Sequence, residues 1–261
     1  MNVAASKKRG ASPARVDGYA PLRDYAALGD GRTVALVARD GSIDWLPLPE
    51  LDSPSVFAAI LDAGRGGRFT LRPEMPFTTT RRYLPGTNVL ETTFTTDRGV
   101  VRVFDALTLP DDRLTPFREL QRRIQGVAGS VAMRWRLEPR FGYAQWPLKL
   151  ASRNGVLIAS AGNDALALQY FAAGDAVAAE QVISGRFDAT EGSSALLSLS
   201  FAHQEPLIFP RRDELERRLE ATCASWRRWV SDRAYEGPWW DAVIRSALAL
   251  KLLVYARARA G

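Results

Sequence analysis

Apolar and polar positions alternate with a period of two over most of the chain between Arg32 and Phe201. The clearest run is "VAMRWRLEP", where Val131, Met133, Trp135 and Leu137 alternate with Ala132, Arg134, Arg136 and Glu138. One face of such a strand is buried and the other is wet. "NVLETTFTTDRGVVRVFDALTL" reads as a hairpin, with Leu90, Thr92 and Phe94 on one face and Asp97-Arg98-Gly99 as the turn. "GVLIASAGNDALALQYFAAGD" reads as a second pair reversed at Gly162-Asn163-Asp164, and "QVISGRFDATEGSSALLSLSFA" as a third. One short helix is expected among the strands, with Asp52 or Ser53 as N-cap, Pro54 at the first helical position, and "SVFAAILD" following. Many short strands separated by Gly, Asn and Asp turns predict a large antiparallel β-sandwich rather than a parallel α/β sheet.

The period changes after "EPLIFPRR". From Asp213 to Val230, Leu215, Leu219, Cys223, Trp226 and Val230 recur every three or four residues, which predicts an amphipathic helix. Asp213 and Glu214 fall in its first turn, where negative charge suits the helix dipole. A second helix opens at Gly237-Pro238. Its apolar positions, Trp240, Val243, Ile244, Ala247, Leu248, Leu252 and Tyr255, wrap so far round that it should be covered on most sides. The predicted fold class is mainly β, an antiparallel sandwich followed by C-terminal helices. The predicted division is a disordered basic leader over 1–18, the sandwich over 19–210, a linking helix over 211–236, and a further helix over 237–261.

Composition narrows the function classes. The net charge is +6, but 31 of the 35 basic residues are arginines spread along the chain, whereas a nucleic-acid binder gathers them on one stripe. No nucleic-acid partner is expected. No run approaches the roughly 20 apolar residues of a membrane span, so no membrane partner is expected either. The first 18 residues have no apolar core and do not read as a secretory signal. Cys223 is the single cysteine, which fits a cytoplasmic setting. Together with the single histidine, His203, it disfavours zinc sites and Cys–His catalysis. His203 reads as a strand-end residue and Cys223 as an inert core thiol. Trp226, Trp229, Trp239 and Trp240 could suggest a sugar platform, but their helical spacing reads as interdomain packing. "GDGRT" lacks the lysine and spacing of a phosphate loop and reads as a turn.

Candidate chemistry concentrates in "GDGRTVALVARDGSIDWLPLPELDSPSVFAAILD", Gly29 to Asp62. Asp30-Gly31 and Asp40-Gly41 are turn dipeptides, and each aspartate then has a local backbone role. Turn geometry offers Asp44 and Asp52 no reason for a raised pKa, so neither reads as a catalytic acid.

The order of "DYAALGDGRTVALVARDGSIDWLPLPELDSPSVFAAILD", "GGRFTLRP", "RRYLPGTNVLETTFTTDRGVVRVFDALTLP", "LEPRFGYA" and "WRRWVSDRAYEGPWWDAVIRSALALKLLVYA" resembles the N-terminal part of glycoside hydrolase family 15, the glucoamylase-like and trehalase-like group. The resemblance implies a β-sandwich, a linker helix and then an (α/α)6 barrel that hydrolyses α-glucosidic bonds with inversion, using two glutamates of the barrel. The chain matches that pattern only as far as the first barrel helix. It is therefore expected to carry no catalytic residue, no metal ligands and no cofactor, and to be inactive alone. The implied partners are a C-terminal barrel, in cis or in trans, and an α-glucan or trehalose in the complete enzyme. A split-hydrolase subunit and a stand-alone carbohydrate-binding module are the alternatives. The resemblance also opens a second reading of the loop from Asp44 to Ser55, at the mouth of the sugar pocket. Trp45 would stack on a glucose face, while Asp44, Asp52 and Ser53 would bond sugar hydroxyls. Relatives commonly carry Arg-Phe before "DSPS", where this chain has Glu50-Leu51.

Overall fold

The computed structural model describes residues 13–109 and 118–254. It is an antiparallel β structure followed by two helices. The first strands are β1 (Ala26–Gly29), β2 (Val34–Val37), β3 (Ser42–Pro47), β4 (Ser55–Phe57) and β5 (Arg68–Pro73). Next come β6 (Thr78–Tyr83), β7 (Leu90–Thr95), β8 (Gly99–Leu107) and the long β9 (Arg118–Glu138). A short turn, α1 (Phe141–Ala144), is left-handed at Gly142 and Tyr143. The remaining strands are β10 (Lys149–Arg153), β11 (Val156–Ala161), β12 (Asp164–Phe171), β13 (Ala176–Ala179), β14 (Val182–Thr190) and β15 (Ser194–His203). Helices α2 (Arg212–Ser231) and α3 (Trp240–Leu252) close the described chain.

Strand β9 organises the two layers. Its first half pairs with β8 and β15, and its second half with β5 and β14. The bend between them falls at Gly126–Gly129. Gly129 is left-handed (φ 65°), and a Cβ there would lie 2.1 Å from the carbonyl oxygen of Arg98. A side chain would collide at this crossover, so glycine is required. One layer therefore runs β1-β2-β3-β5-β9-β14-β13, and the other runs through β6-β7-β8-β9-β15-β12-β11-β10.

The layers face one another across a single core. Val131, Met133, Trp135 and Leu137 are all buried, as their alternation predicts. Phe77 meets Phe94 edge-on at 5.2 Å. The guanidinium of Arg122, from one layer, lies 5.1 Å from the Phe69 ring centroid and donates to the carbonyls of Phe69 and Gly41 in the other. Its charge is met by Asp105, directly opposite on β8, at 2.8 Å.

Two expectations are corrected. "QVISGRFDATEGSSALLSLSFA" is not a hairpin: β14 and β15 do not pair with each other but lie along opposite halves of the bent β9. The helix expected from Pro54 is strand β4, which pairs with Leu46 and Pro47. Burial of Ser55, Val56 and Phe57 prevails over the capping signal, leaving a single helical turn where the Asp62 amide donates to the Ala58 carbonyl at 3.1 Å. Arg15, inside the segment read as a disordered leader, is held by ion pairs. The leader residues 1–12 and Tyr255 lie outside the described residues.

Candidate functional site

The segment Gly29–Asp62 folds around its aspartates. Asp30 accepts the amides of Arg32 and Thr33 at 2.8 and 2.9 Å, closing the turn at Gly31. Burial holds the Asp30 carboxyl above its usual range, against those bonds. Asp40 accepts the Ser42 amide at 3.1 Å and two bonds from Arg15 at 2.7 and 3.1 Å. Burial alone would raise the Asp40 pKa, but the Arg15 bonds and charge overcome it and hold the group below the usual carboxylate range.

Asp44 is fully buried on β3. It accepts from Arg15 at 2.8 Å, from the Tyr25 hydroxyl at 2.7 Å, and from the Ser42 hydroxyl. Burial and then Asp44 raise the Tyr25 pKa, so that phenol stays protonated as a donor. A sugar hydroxyl reaches Asp44 only if Arg15 and Tyr25 move. Trp45, next on the strand, points the other way and is half-buried.

Beyond β3 the chain makes a tight turn. The Glu50 amide donates to Ser53 Oγ at 3.0 Å, and the Ser53 amide returns to the Glu50 carbonyl at 3.1 Å. The Leu51 amide donates to the carbonyl of Arg32 at 2.9 Å, tying this turn to the one before β2. Leu51 and Asp52 are exposed at its tip. The structure thus separates the four candidates: Asp44 is buried beneath Arg15 and Tyr25, Trp45 is half-buried on β3, and Asp52 and Ser53 lie on the turn that follows.

The helices form a second surface. Helix α2 packs on the outer face of the second layer with Leu219 and Cys223 against Val89 and Ala106, and its Leu215 is fully buried. Burial raises the Cys223 thiol pKa, consistent with an inert core position. The anchor of α2 is Glu119, whose buried carboxylate accepts from Thr108, Gln121, Ser198 and Arg218 at 2.9, 3.0, 2.6 and 2.9 Å. Helix α3 seats Ile244, Leu248 and Leu252 against Trp226 and Val230 of α2. Arg245 stacks 4.0 Å from the Tyr83 ring centroid and donates to the Thr87 carbonyl, while Asn88 donates to the Leu248 carbonyl. The opposite side of α3 and its flanks are bare: Trp239 is 70% exposed, Leu250 64% and Leu253 68%.

Residues 16–219 match the family model described as "Trehalase-like, N-terminal". The chain belongs to the trehalase-like N-terminal domain family. It is 32% identical to a trehalase of Mycolicibacterium smegmatis over 98% of this chain and 41% of the relative. It is 33% identical to a trehalase of Mycobacterium tuberculosis over 91% of this chain and 38% of the relative. A trehalase of Thermoplasma volcanium is 28% identical over 92% of this chain and 38% of its own length. The chain thus spans about two fifths of the length of these curated relatives.

Several residues that organise this trehalase-like domain were passed over in the sequence. Arg15 sits in a segment with no strand or helix pattern. Glu119, Gln121 and Arg122 sit on a strand whose two faces are both covered, one by α2 and one by the facing layer. The only available signal was the crowding of polar residues in "RELQRRIQG" within an otherwise strand-like stretch. Among the described residues, no group of three or more His, Cys, Asp or Glu is placed to hold a metal ion. His203 pairs with Asp164 at 2.6 Å at a strand end. No described helix is long and apolar enough to cross a membrane.

Proposed function

We propose that this chain serves as the non-catalytic N-terminal portion of a trehalase-type α-glucoside hydrolase. In this reading the sandwich is a rigid support, and α3 is the first element of a helical catalytic body supplied in cis or in trans. The observation that carries it is the outward face of α3. One side of the helix is seated by Ile244, Leu248 and Leu252, while Trp239, Leu250 and Leu253 are left in water. Apolar residues exposed together in this way fit a surface made to be covered. The relatives, more than twice as long, have the additional length to cover it.

The chemistry assigned to that body is inverting hydrolysis, in which one carboxylic acid protonates the leaving oxygen and a second carboxylate activates water. Neither carboxylate is placed in this chain. Trp45, Asp52 and Ser53 are assigned to the rim of the sugar pocket, with Trp45 as the stacking surface. Asp44 acts behind them, holding Arg15 and Tyr25 against β3.

The test is complementation. The 261-residue chain is assayed for trehalose hydrolysis alone and after joining or mixing with the C-terminal three fifths of the M. smegmatis trehalase. No hydrolysis is expected from the chain alone, and activity with co-elution is expected from the pair. Trehalose hydrolysis by the chain alone would overturn the reading. In the active pair, Trp45→Ala is expected to raise KM for trehalose more than it lowers kcat.

A further inference from the structure

The wet face of the first layer carries an arrangement that packing does not explain. Strands β5, β9 and β14 are neighbours, and their register places Arg72 opposite Arg134 and Arg134 opposite Arg186. Three guanidinium groups therefore stand in one row across three strands. Like charges directly opposite one another destabilise a sheet. The row forms the floor of a groove of about 870 Å³, with Arg136 and Arg68 further along the same strands and Arg15 at its side. Six arginines line this groove against three carboxylates, Asp40, Glu138 and Asp175.

Two of the three carboxylates, Asp40 and Glu138, are already engaged. Asp40 is taken by Arg15 and lies 3.9 Å from Arg72. Glu138 pairs with Arg136, and Glu74, outside the groove lining, pairs with Arg186. None of the described carboxylates pairs with Arg134, in the middle of the row. Burial, and then the charge of Arg134, lowers the Arg72 pKa, so the two groups repel in the ligand-free state. The inner face beneath them is fully satisfied: Trp135 is buried, donates to the Ala173 carbonyl at 2.9 Å, and packs where a Cβ on Gly185 would collide. The row is thus held on a rigid floor.

We infer that this groove binds a linear oligophosphate through the row Arg72–Arg134–Arg186. The row spans two inter-strand spacings, about 10 Å. That length suits consecutive phosphates rather than one, and the groove volume exceeds the needs of a single phosphate. Guanidinium groups bind phosphate oxygens in pairs, which favours arginine over lysine here. The inference is independent of the hydrolase reading, because the groove lies on the face of the sandwich away from α2.

The experiment titrates the 261-residue chain with inorganic tripolyphosphate and with orthophosphate, at constant ionic strength in magnesium-free buffer, by calorimetry. Tripolyphosphate is expected to bind at least tenfold tighter. A parallel ATP titration assigns the source: equal affinity places recognition in the phosphates alone, and tighter binding adds the nucleoside. Arg134→Thr, a strand-compatible change at an exposed position, is expected to weaken tripolyphosphate at least tenfold while the ligand-free melting temperature holds or rises. Arg217→Ser, on the exposed face of α2, is expected to change nothing. Equal affinity for the two phosphates, an unaffected Arg134→Thr, an equal loss in Arg217→Ser, or preference for an acidic peptide over tripolyphosphate would each overturn the proposal.

Discussion

Replacing Glu119 by glutamine keeps the shape of the side chain and removes its charge. The carboxylate is fully buried and accepts four side-chain bonds, two at each oxygen. A glutamine has one oxygen and one amide nitrogen. Its best placement turns the oxygen toward Arg218 and Thr108 and the nitrogen toward Ser198 and Gln121. The Ser198 hydroxyl can rotate to accept, but the Gln121 amide then faces another donor. About 1 kcal/mol is lost there. The Arg218 bond falls from charge-assisted to neutral, and its guanidinium loses the carboxylate that offset its burial. Breaking a buried pair on one side costs about 3–5 kcal/mol, and the retained neutral bond recovers part of that. The expected total is about 3 kcal/mol, a large fraction of the 5–15 kcal/mol typical of a domain. Urea unfolding reads the total. Native-state hydrogen exchange locates it, since protection should fall first in α2, which Glu119 ties down through Arg218, and later in β15. A loss below about 1 kcal/mol, or equal deprotection of α2 and β15, would refute Glu119 as the anchor. Glu119→Gln combined with Arg218→Met should recover part of the loss, because the buried guanidinium that lost the Glu119 carboxylate is gone.

The folded-state pKa of Asp40 is depressed, so its contribution is present above the unfolded value of about 3.9 and is lost as pH falls through the folded value. Asp40→Asn should therefore flatten the acid limb of stability against pH, read by urea midpoints from pH 6 down to about pH 2. Gly129→Ala should cost about 2 kcal/mol or more, because its φ is 65° and the new Cβ meets Arg98. Gly155→Ala, at φ 78° in open space, should cost about 1 kcal/mol. Leu250→Asp, at a position 64% exposed, should leave chain stability within about 0.5 kcal/mol and abolish co-elution with the trehalase C-terminal segment.

What could be read in advance was what depends on near neighbours. Period two at Val131–Glu138 and period 3.6 at Leu215–Val230 each buried the face they marked, and the Asp-Gly dipeptides at 30 and 40 became turns. Pairing was less legible. The β14–β15 run has the turn and strands of a hairpin, but each strand pairs over eight positions with its own half of the bent β9. At Asp52-Ser53-Pro54 the same residues serve a helix start or a loop, and burial of Val56 and Phe57 settles the matter from outside the segment. Of the candidate site, the loop position of Asp52 and Ser53 was legible. The burial of Asp44 was not, because its partners Arg15 and Tyr25 lie 29 and 19 residues away.

The two outer faces of the sandwich are treated differently, and the contrast bears on function. On the second layer, outward residues such as Ala106, Glu119 and Gln121 are covered by α2, and the Glu119 carboxylate there is met by Arg218. On the first layer, Arg72, Arg134 and Arg186 lie open in a row with too few carboxylates. A sequence shaped only for stability would place opposite charges or threonines across those strands. The apolar side of α3 is costly in the same sense, since it leaves leucines in water. These two features occupy separate surfaces and involve different elements. If each serves its own ligand, a substitution at one should not alter the other: Leu250→Asp should leave tripolyphosphate binding unchanged, and Arg134→Thr should leave co-elution with the C-terminal segment unchanged. Distant sites with no shared partners are additive. A coupling larger than about 0.5 kcal/mol would mean instead that the groove and the helix face report on one common rearrangement of the sandwich.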